Sequence, residues 1–199
     1  MSKERLEAFS DAVIAIIMTL LAIELGAPHV SEDASFSQYA AAMSPLIPKI
    51  ASFILSFMMI AIHWVSHHYF FQRIKRAPLG LVWLNMLFLL SISFMPFTTA
   101  FLGDHPTAQF PVLLYGVNQL AAALTFLSFR IYATKNKIFI NKASAKVMGP
   151  SHSLPAIMIF SLSILLSFLN VYLSLACFLL VPALYFYPNL IEKRPPSNN

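Results

Sequence analysis

The chain has 199 residues, of which 58% are hydrophobic and only 11% charged. Soluble domains usually carry about a quarter of their residues charged, so this composition excludes an ordinary soluble protein and indicates an integral membrane protein. The net charge of +5 has the sign expected of a nucleic-acid binder, but its distribution along the chain argues for a different origin.

Hydropathy divides the chain into six predicted spans, at about 7–25, 47–71, 79–101, 110–134, 151–169 and 171–190. The first has an uncharged centre of only twelve residues, Ala12 to Ile23. That is about 18 Å of helix, whereas about 20 apolar residues are needed to span the hydrocarbon layer. Asp11 and Glu24 therefore fall within or at the edges of that layer. A carboxylate there is costly unless other helices or water shield it, so the first helix is expected to lie inside the protein. Glu4, Glu7 and Asp11 interrupt the pattern of a cleavable signal. The polar stretch from Gly26 to Ser44 reads as a connection with room for a short surface helix. Asn85 in the third span has the chemistry to donate across a helix interface, and Pro96 is expected to bend that span near its outer end. The forty residues from Ser151 to Leu190 suit two spans, with the turn near Asn170. Cys177 stands alone in an apolar run, so no disulfide framework or multi-cysteine metal site is expected.

With six spans, twelve of the thirteen Lys and Arg residues fall on one side, and only Lys49 falls on the other. By the positive-inside rule that side is cytoplasmic, together with both termini. The basic excess is thus a topogenic signal, and no nucleic-acid partner is expected.

At about 100° per residue, Phe9, Val13, Ile16, Leu20 and Ile23 share a stripe of the first helix, with Thr19 on its flank and Asp11 nearly opposite. Such a stripe serves either ordinary packing or a hydrophobic constriction that gates a pore by dewetting. Ser10 and Asp11 suit either a helix cap or a buried carboxylate with partners on neighbouring helices. His63 and His67 share a face of the second span, four residues apart, beside Trp64 and His68. That spacing is compatible with a metal or haem iron, but no acidic or thiol ligands accompany the pair in the apolar layer. A structural hydrogen-bond network is the expected reading, with no metal and no cofactor. There is no phosphate loop, no Ser/His/Asp set and no carbonyl-filter sequence, so no enzymatic activity is expected.

Arg5, Phe9, Ser10 and Asp11 form the pattern R-x-x-x-F-S-D at the start of the first span. Trp64, His67, His68 and Phe71 follow in the second span, and Asn85 with Phe94-x-Pro96-Phe97-x-Thr99 in the third. In these motifs the chain resembles the potassium channels related to transmembrane protein 175, a lysosomal channel with bacterial homologues. The resemblance implies a homotetramer of single six-helix repeats, 1–199 forming one channel domain in the plasma membrane, with the first helices lining an axial pore. It implies that Ile16 forms the constriction, with Leu20 and Ile23 as further rings, and that Thr19 contributes to selectivity. Arg5, Phe9, Ser10 and Asp11 would brace the pore helix, supported by Trp64, His67, His68 and Asn85. The permeant ion would be potassium, with membrane lipids and further copies of the chain as partners. A proton-coupled secondary transporter using Asp11 and the histidines is the alternative.

Overall fold

The computed structural model describes residues 2–186, for Phe186 the backbone alone, and these residues form an all-helical bundle. Helix α1 (Lys3–Ile23) is capped by Ser2, whose side chain accepts from the Arg5 amide. The helix therefore starts four residues before the hydropathic boundary, and Ser10 and Asp11 lie in its third turn. The capping reading of that pair is thereby overturned. Helix α2 (Phe36–Met43) is the short surface helix of the first connection, closed by a capping box between Ser35 and Gln38. A 3₁₀ turn (Ser44–Leu46) leads directly into α3 (Ile47–Gln72).

The third predicted span is two helices, α4 (Leu79–Ser93) and α5 (Met95–Asp104), separated at Phe94. Pro96 stands in the first turn of α5. It has no amide to continue the ladder, and its ring would clash with the carbonyl of Ile92, so the span breaks there. Helix α6 (Gln109–Lys135) is the longest. After the small α7 (Lys142–Val147), a 3₁₀ turn (Pro150–Ser153) runs into α8 (Leu154–Ser167), and α9 (Val171–Phe186) closes the described chain. The turn between the last two helices falls where the sequence places it, with Asn170 Oδ1 accepting from the amides of Tyr172 and Leu173 at 2.8 and 3.3 Å.

Among the described residues, five helical stretches are long and apolar enough to cross a membrane: Lys3–Ile23, Phe36–Gln72, Leu79–Asp104, Gln109–Lys135 and Lys142–Ser167. Val171–Tyr185 is a shorter apolar helix, and positions 187–190 of the sixth predicted span lie outside the described residues, as do Lys193 and Arg194.

Packing corrects one expectation. Helix α1 does not lie inside the chain; it packs on α3, α4 and α5 through Leu6, Ser10, Ile14, Ile17 and Leu21, and its opposite face is open. The central element is α6, which touches α4, α5, α8 and α9. The ends rich in Lys and Arg are drawn together. Lys3 Nζ donates to the Phe71 carbonyl at 3.3 Å, and the connectors after α3 and α6 pair through Lys75 N to Ile138 O at 2.8 Å and Ile140 N to Arg73 O at 2.9 Å. At the other end Lys49 forms an ion pair with Asp104 at 2.5 Å, so it carries its own counter-charge.

Candidate functional site: the two faces of the first helix

Helix α1 offers different chemistry on its two sides. On the packed side, Ser10 Oγ donates to the Leu6 carbonyl at 2.8 Å, which leaves its oxygen to accept from Asn85 Nδ2 on α4, also at 2.8 Å. That bond fixes the orientation of the Asn85 amide. Its Oδ1 then faces His67 Nε2 on α3 at 2.8 Å, and since an amide oxygen can only accept, His67 carries its proton on Nε2. Ser10, Asn85 and His67 are all fully buried, and together they tie three helices into one unit. Aromatic rings enclose the imidazole: Phe71 stacks at 4.4 Å between centroids, Phe88 at 5.6 Å, and Phe129 meets it edge-on at 6.2 Å.

Nearer the ring of basic residues, the contacts are more open. Trp64 Nε1 on α3 donates to Asp11 Oδ1 at 2.9 Å, and the half-buried Asp11 thus has its partner on a neighbouring helix. His68 Nδ1 lies 3.1 Å from Glu7 Oε1, with Gln72 against its other nitrogen at 2.8 Å, and the Trp64 and His68 rings stack at 5.8 Å. Ser10 and His67 are joined through Asn85, whereas Asp11 is held by Trp64. Arg5 is exposed. Its guanidinium makes no hydrogen bond among the described residues, and with Phe9 it lines an apolar groove completed by Leu79, Val82, Trp83 and Met86 on α4.

In this arrangement each histidine of the pair faces a side-chain amide. His63 Nε2 lies 3.3 Å from Gln119 Oε1 on α6, and both its ring and that of His67 face Phe88. Among the described residues no three His, Cys, Asp or Glu side chains converge. The sequence reading missed a second buried polar layer nearer the outer end. Thr99 Oγ1 donates to Ser56 Oγ at 2.7 Å, and Ser56 Oγ donates to the Tyr115 hydroxyl at 3.1 Å. Gln119 and Tyr115 carried no flag in the sequence because each stands in an apolar run with nothing to indicate which way α6 faces.

The open side of α1 carries Phe9, Ile16, Leu20 and Ile23, with Ile16 58%, Leu20 41% and Ile23 72% exposed. Val13, placed on the same stripe from sequence, turns partly inward against the core. Thr19 is exposed among them, its Oγ1 donating back to the Ile16 carbonyl at 2.8 Å. Its proton is thus engaged within the helix, and its oxygen keeps lone pairs free to accept.

Comparison with known proteins agrees with this architecture. The family model described as endosomal/lysosomal potassium channel TMEM175 matches residues 5–96, starting at Arg5. The chain is 31% identical over 199 residues, all of both chains, to a potassium channel of Chryseobacterium sp.. It is 32% identical over 195 residues, 92% of each chain, to a potassium channel of Chamaesiphon minutus. The crystal structure of a lysosomal potassium-selective channel TMEM175 homolog from Chamaesiphon minutus superposes with a TM-score of 0.81 at 27% identity, covering 96% of this chain and 98% of that one. These proteins are multi-pass ion channels and not enzymes, and at that identity over its full length the chain belongs to the TMEM175 family.

Proposed function

We propose that the chain is a potassium-selective cation channel of the plasma membrane, a homotetramer of six-helix domains spanning 1–199 with both termini cytoplasmic. In it the open faces of four α1 helices surround an axial pore. The observation that carries this reading is the exposed apolar stripe of Ile16, Leu20 and Ile23, lying opposite the face that bonds α1 to α3 and α4. The names of the full-length relatives supply the ion. A ring of Ile16 side chains would give a cation no oxygen ligands, which makes it a natural closed gate. Leu20 and Ile23 would form further rings outward. Thr19 would turn its lone pairs towards the permeating ion, since its proton is engaged by the Ile16 carbonyl. No cofactor is required. The transporter alternative rests on residue types alone, because Asp11 and His67 are engaged by Trp64 and Asn85.

The test is ion flux from proteoliposomes loaded with potassium or with sodium. Efflux favouring potassium is expected, and Ile16→Asn should raise the flux and weaken the preference. Silence from both the unaltered chain and Ile16→Asn would refute the pore.

A further inference from the structure

Arg130 is 7% exposed, about a turn and a half inside the basic end of α6, and has no carboxylate beside it among the described residues. Its Nη1 donates to the Gly149 carbonyl at 3.2 Å, and its guanidinium lies 5.1 Å from the centroid of the Phe126 ring. Those contacts use one edge of the fork. The other edge, formed by Nε and Nη2, has no hydrogen-bond partner among the described residues, and Nε is fully buried. This is the side-on edge with which an arginine grips an oxyanion through two parallel bonds. One turn beyond Gly149, Ser153 Oγ is also buried without a partner. Lys142 and Lys146 stand on the adjoining α7, and His152 is in the turn itself.

A buried cation with half its donors unused is costly in a membrane protein, where such groups pair with one another or with backbone carbonyls. Basic pockets between helices at the cytoplasmic side are a recognised way of binding anionic headgroups. We infer that the free Nε/Nη2 edge of Arg130 binds a phosphate group, with a headgroup of the adjoining membrane leaflet as its natural source. The site is on α6, which is not among the helices α1 packs on, and is independent of the pore reading. The acidic residue that could compete for this edge is Glu192, outside the described residues.

The experiment is native mass spectrometry of the full chain in detergent, titrated separately with phosphatidylglycerol and with inorganic phosphate. Arg130→Lys keeps the charge and most of the bulk but lacks the fork, so it is the variant expected to fold; Glu192→Gln is the second. The unaltered chain should bind phosphatidylglycerol saturably, and Arg130→Lys should weaken that binding about tenfold or more. Glu192→Gln should leave it unchanged. If inorganic phosphate binds with the same dependence on Arg130 and the lipid does not, the phosphate assignment holds with a soluble source. Equal binding of both probes by the unaltered chain and Arg130→Lys overturns the inference. So does binding that emerges only in Glu192→Gln, because that result assigns the edge to a carboxylate of the chain itself.

Discussion

Asn85→Leu tests whether Ser10, Asn85 and His67 act as one unit. The substitution keeps the number of side-chain heavy atoms and removes two hydrogen bonds, one to Ser10 and one from His67, each at 2.8 Å. Bonds between transmembrane helices are worth about 0.6 kcal/mol each on average. Ser10 keeps the Leu6 carbonyl as its acceptor, so the larger cost falls on His67. That imidazole is fully buried between Phe71 and Phe88, and its Nδ1 already lacks a partner. Leaving Nε2–H orphaned as well adds about 1–3 kcal/mol, for a total of about 2–4 kcal/mol. Trp64→Phe is the comparison. It removes a bond to the half-buried Asp11, a group able to turn to water, and should cost about 1 kcal/mol or less. The assay is reversible unfolding in mixed micelles followed by circular dichroism, with Ser10→Ala completing a double-mutant cycle. Two results would refute the reasoning: Asn85→Leu costing no more than Trp64→Phe, or its cost adding to that of Ser10→Ala within about 0.3 kcal/mol.

Two further substitutions probe the outer end. A Cβ at Gly103 would lie 2.7 Å from Ser52 Oγ and 2.9 Å from the Lys49 backbone, so Gly103→Ala must separate α5 from α3. It should destabilise by about 1–3 kcal/mol in the same unfolding assay; an unchanged midpoint would show that the contact is looser. Lys49→Met removes the ion pair with Asp104, whose side chains are 31% and 47% exposed. At that exposure the loss should stay below about 1 kcal/mol and shrink as salt is raised.

Much of the layout was legible because membrane spans announce themselves by length and by the charges that flank them. The boundaries of α3 and α6 and the turn at Asn170 follow from hydropathy, and the break before α5 follows from what Pro96 cannot do. Other features depend on how each helix is rotated about its axis. A helix apolar on every side gives no periodic signal separating a face against protein from a face against lipid, so Gln119 and Tyr115 drew no notice and Arg130 counted only as one of the flanking charges. Asn85 was recognisable as a donor in an apolar helix, yet its role as the link between Ser10 and His67 required α1, α3 and α4 to be seen together. The last predicted span reaches 190, and its positions 187–190 lie outside the described residues.

The position of α1 in the chain bears on assembly. The short uncharged centre of that helix first suggested that other helices of the same chain enclose it. They cover one side only, and that side takes the polar contacts of Ser10, Asp11 and Glu7. The carboxylates and the buried serine are therefore satisfied within one chain, and what remains open is mostly apolar, with Arg5 and Thr19 as polar exceptions. An apolar face needs no covering in lipid, so exposure by itself does not demand a partner. Thr19 alone would sit as comfortably against lipid, since its proton is already bonded to the helix. Arg5 is different. At the foot of the same face its guanidinium has no hydrogen-bond partner among the described residues, and a guanidinium at the edge of the apolar layer calls for water or an acceptor. A water-filled axis beside this face would meet that need without disturbing the packed side. The pore reading thus explains why α1 confines its carboxylates to one flank and leaves an unpaired cation and a hydroxyl on the other.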